Sequence, residues 1–163
     1  MAVTIQNSVE HAATLAIPTV KAGTTADKGK LRTLAFTHNQ DGVGDAGSTI
    51  VLGKLPAGTV KIIGGLSRFY VNIVAGSATI DIGWQAYVDA NGADVALDVD
   101  GMVDGLDVDT VGYRTMEGNT AATKLLGGNH TFSSRDGVVI AVKSIAALAD
   151  DDDLSGVITY IVD

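Results

Sequence analysis

Cysteine is missing from this sequence, which excludes disulfide bonds, thiolate nucleophiles and cysteine-based metal sites. Aromatic residues are scarce, at 5% of the chain, so Val, Ile, Leu and Ala must form most of any core. The chain also has only two glutamates, Glu10 and Glu117, and one tryptophan, Trp84. This scarcity weakens the case for a glycoside hydrolase, which needs a pair of carboxylates and usually an aromatic ring that stacks on the sugar. No apolar run approaches the roughly 18 residues of a membrane helix. Because the first Lys or Arg is Lys21, we predict no signal peptide.

Basic residues are also few, and they are scattered along the chain. Eleven Lys and Arg against nineteen Asp and Glu give a net charge of -8 and a sequence pI near 4.6. Nucleic acids and anionic lipid surfaces attract clustered basic side chains. We therefore expect neither a nucleic-acid partner nor a membrane partner.

Glycine and short apolar runs are what the chain does have. With 20 glycines and 46% hydrophobic residues among 163, it has enough apolar surface for one domain made of short strands. The predicted strands are residues 31–37, 49–55, 59–63, 66–74, 78–88, 130–133, 138–144 and 156–162. A kink at Gly64 and Gly65 is expected between the third and fourth strands, and a hairpin turn at residues 135–137. This pattern predicts an all-β fold, a β-sandwich or a barrel, in a single domain over residues 31–163.

The fifth predicted strand, residues 78–88, alternates most clearly. The residues predicted to face the core are Ile80, Ile82, Trp84, Ala86 and Val88. The residues predicted to face solvent are Thr79, Asp81, Gln85 and Tyr87. The last strand, residues 156–162, is so apolar that we expect it to be paired within a sheet, because an exposed edge of this kind would aggregate. Residues 94–112, rich in Asp and Gly, are predicted to be irregular.

The first 30 residues differ in composition, being rich in Ala, Thr and Val without any aromatic residue. Ser8 can cap a short helix over residues 9–16, before Pro18. Residues 22–30 are typical of a loop. Residues 1–30 are therefore predicted to be an extended N-terminal arm, which is either a frayed end or a segment that becomes ordered against a neighbouring subunit.

Three sets of residues invite a chemical interpretation, and none fulfils it. Residues 42–47 match the glycine pattern of dinucleotide sites, but a strand follows where the helix should begin. The aspartates between Asp94 and Asp109 lack the spacing of a calcium loop, although calcium binding there stays open. Residues 149–153 are interpreted as a solvated acidic turn. No cofactor is predicted.

The histidines offer no catalytic constellation either. His11, His38 and His130 have no neighbouring pattern of nucleophile and orienting carboxylate, so we interpret them as surface loop residues. The sequence therefore predicts a protein that is not an enzyme and has no catalytic residue.

Several short motifs resemble virion structural proteins of tailed bacteriophages. These are the segment GSTIVLGKLPAGTVKIIGGLSRFYVNIV at residues 47–74, ATIDIG at 78–83, the Asp-rich residues 100–109 and the ending Y-I-V-D at 160–163. The resemblance covers about residues 31–163. It implies a small capsid decoration (cement) protein on the outer surface of a phage head, with a β-sandwich or jelly-roll-like body. Such a protein is often a homotrimer, and the major capsid protein is its implied partner. It carries over no catalytic residue.

On this basis the arm is expected to contact the capsid or a neighbouring subunit. The candidate contact residues are Val3, Ile5, Val9, Leu15, Ile17 and Val20. Two alternatives stay open. One is a phage tail tube, adaptor or fibre-associated protein. The other is a carbohydrate-binding jelly-roll module, which would need exposed aromatics such as Trp84, Tyr87 and Tyr70. Trp84 is expected in the core instead, because it lies on the apolar side of its strand.

Overall fold

The computed structural model describes residues 4–8, 12, 15, 31–73, 78–116 and 129–162. These residues contain thirteen strands and one 3-10 turn at Gly64–Leu66. The strands are β1 (Ile5–Asn7), β2 (Arg32–Asn39), β3 (Thr49–Leu55), β4 (Gly58–Ile62), β5 (Arg68–Asn72), β6 (Thr79–Trp84), β7 (Tyr87–Val88), β8 (Asp94–Val95), β9 (Asp98–Asp107), β10 (Gly112–Thr115), β11 (Thr131–Ser134), β12 (Val138–Ser144) and β13 (Asp153–Val162). The all-β prediction is confirmed.

The strands form a β-sandwich of two sheets. The first sheet has the order β1-β3-β12-β6-β9, and the second has the order β10-β5-β13-β4-β11, with β2 paired to β13. Strands β7 and β8 form a small separate ribbon. Both sheets contribute to one apolar core, with Phe36, Phe69 and Phe132 among its largest fully buried side chains. None of the described helical residues forms a helix long and apolar enough to cross a membrane.

Strand β13 lies at the centre of the second sheet, as its apolar sequence predicts. It pairs with β2 along one edge and with both β5 and β4 along the other. β4 and β5 are therefore two halves of one strand, interrupted by the predicted kink at Gly64. The Ser67 hydroxyl accepts the Thr159 N–H at 2.9 Å, and the Thr159 hydroxyl donates to the Leu66 carbonyl at 2.9 Å. At the kink, β13 has no neighbouring strand to pair with on the edge that faces β4 and β5, and the bond to Ser67 satisfies the Thr159 N–H there.

A β-bulge in β3 shapes the first sheet. The register with β12 shifts between Ile140 and Ala141, which leaves Leu52 without an opposite residue. Leu52 is fully buried, and a Cβ added to the next residue, Gly53, would lie 2.8 Å from the side chain of Leu34 in β2. The bulge thus turns two successive residues of β3 toward the core.

Three predictions about these strands were wrong. Residues 94–112 are not irregular, because they include the ten-residue strand β9, paired with β6. Residues 135–137 do not join a hairpin, because β11 and β12 belong to different sheets. The strand predicted over residues 78–88 is divided into β6 and β7, and Ala86 is exposed between them.

Asp81 is a further correction, since it was predicted to face solvent but is only 6% exposed. The register between β6 and β9 shifts here, so Asp81 has no opposite residue in β9. Gly105, in the left-handed region with φ +67, directs its N–H toward the Asp81 carboxylate at 3.0 Å. A non-glycine residue would adopt this conformation at a cost.

Part of the predicted arm lies in the first sheet. Strand β1 pairs in parallel with the edge of β3, and the Ala12 N–H donates to the Ser8 carbonyl at 2.9 Å, as in a helical turn. Except for Ala12 and Leu15, the predicted helix over residues 9–16 lies outside the described residues. The division of the chain at residue 30 stays a prediction.

Candidate contact surfaces

An apolar groove of about 310 Å³ lies on the outer face of the first sheet. Its lining residues are Ile5, Thr49, Gly83, Trp84, Gln85, Ala86, Leu97, Val99, Ala141, Val142 and Lys143. Two large apolar side chains at its walls are mostly exposed, Ile5 at 73% and Leu97 at 58%. Lys143 is the one charged residue in this lining. Outer sheet faces usually carry polar side chains, so this apolar groove is a candidate contact surface.

Small residues on neighbouring strands make the groove. Ala141 of β12 pairs with Gly83 of β6, so no large side chain projects from the sheet at the bottom of the groove. β9 approaches β6 so closely that a Cβ on Gly83 would collide with the backbone of Asp98 and Val99. The sequence signal is a glycine inside an alternating strand, which is typical of a close backbone approach.

Trp84 holds one wall of the groove in place. Its indole N–H donates to the Ala96 carbonyl at 3.2 Å, directly before Leu97. The ring packs on the core side against Phe132 and His130, with centroid distances of 5.3 and 4.5 Å. Trp84 is 8% exposed, which confirms its predicted burial. Leu97 was missed as a contact residue because nothing in a run of Asp and Val marks one apolar side chain as exposed.

A buried carboxyl group lies beside the groove. Asp81 lies opposite Lys143 in the pairing of β6 with β12. Burial raises the pKa of the Asp81 carboxyl, and the nearby Asp104 and Asp100 carboxylates add to the rise, whereas the Gly105 N–H and Lys143 oppose it. Burial thus favours the neutral form of this carboxyl group beside the groove.

A second surface is a recess of about 400 Å³ on the second sheet, lined by Arg68, Tyr70, Tyr113, Ser155, Gly156 and Val157. The Tyr70 and Tyr113 rings meet edge to face, with centroids 5.4 Å apart. Tyr113 is 77% exposed. Tyrosine and arginine are enriched in protein interfaces, so this recess is also a candidate for recognition. Tyr113 was missed because its segment shows no alternation.

The predicted contact residues are only partly described. Ile5 lies in the groove, and Leu15 is 61% exposed in helical conformation. Val3, Val9, Ile17 and Val20 lie outside the described residues. Their assignment to a capsid or subunit contact stays a proposal.

The interpretation of the histidines as surface loop residues was wrong for two of them. His38 lies in β2 and is 3% exposed, and its Nε2 is 3.3 Å from the Gln40 Oε1. His130 is half-buried and stacks on Trp84 and Phe132. Burial lowers the pKa of both rings. For His38, bonds to Gln40 and the Asn7 backbone and the Asp153 charge oppose this. His11 lies outside the described residues.

The glycine and aspartate motifs have structural roles. Residues 42–47 run directly into β3, and the Gly42 N–H donates to the Asp150 carboxylate at 2.8 Å. The acidic turn is present, but Asp152 is 2% exposed rather than solvated, and it accepts the Ala149 N–H at 2.7 Å. Within the described ranges, no group of three or more His, Asp or Glu residues is arranged to hold a metal ion.

Comparison with known proteins identifies a shared fold rather than a family. No protein-family model and no curated protein matches this chain. A chain in the solved capsid of Ralstonia phage GP4 is 16% identical, with a TM-score of 0.65, over 98% of this chain and 99% of that one. The two chains therefore have the same β-sandwich fold from end to end. The VP2 subviral particle of infectious bursal disease virus is 15% identical over 88% of this chain and 46% of that one, with a TM-score of 0.27.

Proposed function

We propose that this protein is a virion structural component, a capsid decoration (cement) protein that binds the outer surface of a phage head and stabilises the shell. The observation that carries the proposal is the fold shared with a chain of the Ralstonia phage GP4 capsid over nearly the whole of both chains. A match that covers both chains involves the complete body and not a common fragment. The motifs quoted above support the same class of protein.

The apolar groove supplies a surface for this role. In the proposal it receives an apolar projection of the major capsid protein, which covers Ile5 and Leu97. Binding to the assembled lattice and not to the free capsid subunit stabilises the shell by mass action. The candidate arm residues would extend this contact. The net charge of -8 on the remaining surface would keep decorated particles apart.

Self-association would strengthen a weak individual contact. A homotrimer that engages several capsid subunits together gains effective concentration, so each copy needs only modest affinity. The proposed assembly is therefore a homotrimer on the capsid surface, and the proposed activity involves no catalysis.

The direct test is reconstitution. Purified protein is added to phage heads that lack it, and binding is measured by co-sedimentation and located by electron microscopy. We expect saturable binding to the outer head surface and an increase in the temperature at which heads rupture. Purified protein that forms rings or tubes and ignores heads would instead indicate the tail tube, and the decoration proposal would be wrong.

Carbohydrate binding is the second candidate, because the recess presents Tyr70 and Tyr113 beside Arg68. Aromatic rings with a nearby hydrogen-bond donor suit a sugar ring. Trp84 is not available for this, since it packs in the core. Glycan-array binding that Tyr113→Ala abolishes in a folded protein would support this candidate. Absence of any glycan binding by the unaltered protein would contradict it.

A further inference from the structure

Strand β1 contributes almost nothing to the core of the sandwich. It is the edge strand of the first sheet, and its pairing with β3 is parallel, whereas the other described pairs in both sheets are antiparallel. None of residues 4–8 belongs to the apolar core or packs against it as a partly buried hydrophobic residue. Of these five residues only Ser8 is buried, and Ile5 is 73% exposed. The apolar core of the described sandwich therefore contains no side chain of β1.

The edge of β3 forms a specific site for this strand. Backbone bonds join the Thr49 N–H to the Thr4 carbonyl at 3.0 Å and the Ser8 N–H to the Val51 carbonyl at 2.7 Å. The Ser8 hydroxyl donates to the Leu52 carbonyl at 2.6 Å. Such main-chain bonds provide affinity when a separate strand is added to a sheet.

Side chains fix the register of β1. The Gln6 amide donates to the Asp41 carbonyl at 3.0 Å and accepts from the Asp41 N–H at 3.5 Å, so it bonds to both backbone polar groups of one residue. The Thr4 N–H donates to the Ser48 hydroxyl at 3.3 Å. His38 lies in β2, and its ring forms a hydrogen bond with the backbone of Asn7 in β1. All these partners lie between residues 38 and 52, on the body.

Because these bonds join residues 4–8 to the body, a strand from another copy of the chain would make the same bonds. Residues 9–30 join β1 to β2, and a fully extended segment of this length spans roughly 70 Å. A folded domain of this size has a radius of gyration of about 15 Å, so the segment is long enough to reach a neighbour.

We propose that β1 is exchanged between copies, so that residues 4–8 of one chain occupy the β3 edge of the next in a closed oligomer. Exchange conserves each hydrogen bond of the strand and links the copies through it, and closure of the ring leaves no β3 edge unpaired. The partner of this surface is a second copy of the same chain. The inference concerns the free oligomer and does not depend on capsid binding.

Two cysteines test the exchange in a chain that has none of its own. Ile5 and Thr49 are register partners and both line the groove. Paired strands place such Cα atoms about 5 Å apart, within the range of a disulfide. Ile5→Cys with a large tag is co-expressed with untagged Thr49→Cys, and the products are separated on non-reducing gels after oxidation. We expect a covalent species containing both chains, which strand pairing within one chain cannot produce.

The double variant, Ile5→Cys with Thr49→Cys in one chain, distinguishes exchange from pairing within the chain by the size of its oxidised product. Exchange predicts covalent oligomers, whereas pairing within each chain predicts a disulfide-linked monomer. Each single variant alone controls for random oxidation, and a short bis-maleimide reports the same pair if the disulfide is slow to form. A linked monomer from the double variant, without a mixed species from the co-expressed pair, would overturn the proposal.

Discussion

Replacing the two exposed apolar walls of the groove should weaken capsid binding strongly. Burying a whole Ile or Leu side chain is worth about 1.5–3 kcal/mol. Because Ile5 is 73% exposed and Leu97 is 58% exposed, their remaining burial on the capsid would contribute about 1–2 kcal/mol each. Losing both in Ile5→Ser with Leu97→Ser should cost about 2–4 kcal/mol, a Kd roughly 30- to 1000-fold weaker per copy.

The assay is titration of purified variants onto heads that lack the protein, with bound protein measured after sedimentation. Val43→Ser and Val111→Ser are matched controls, because these side chains are 51% and 53% exposed but do not line the groove. We expect the controls to bind like the unaltered protein. If the groove variant binds as tightly as the controls while remaining folded, the groove is not the capsid contact and the reasoning from exposed apolar area is wrong.

Three further predictions concern the body. Phe132→Ala should lower the free energy of unfolding by about 3–5 kcal/mol, because the fully buried ring packs against Trp84, whereas Tyr113→Ala should cost less than about 1 kcal/mol; equal losses in denaturant titrations would contradict this. Since burial lowers the pKa of His38, the unfolded chain binds more protons below its ordinary value of 6.5, so stability should fall as pH decreases through that region. His38→Gln should flatten this slope, and an unchanged slope would refute the assignment. Because burial raises the pKa of Asp81, the folded state favours its protonated form, so Asp81→Asn should stabilise the protein at pH 7, and this gain should disappear below the carboxyl's ordinary pKa of 3.8; thermal melts at pH 7 and below 3.8 check this.

Local patterns were sufficient to predict most of the sandwich. Alternation located β6, the apolar sequence of β13 indicated its central place, and Gly64 marked the kink between β4 and β5. These features depend on residues close in sequence, so periodicity and turn residues contain them.

Long-range contacts decided the rest. Strand β9 was missed because its aspartates and glycines have low strand propensity, and pairing with β6 overrides that propensity. The burial of Asp81 depends on Gly105, and that of His38 on the packing of β2, neither of which leaves a local pattern. The groove likewise needs Ile5, Leu97 and Ala141 from three distant parts of the chain.

The position of β13 also determines when the chain can fold during its synthesis. The second sheet cannot assemble until residues 153–162 have left the ribosome, because β2, β4 and β5 all pair with them. At roughly 5–20 residues per second, the earlier strands wait for several seconds with unpaired edges. A chain that stops before residue 153 would keep those edges exposed and would be prone to aggregation. The second sheet therefore forms only in chains whose synthesis has passed residue 162.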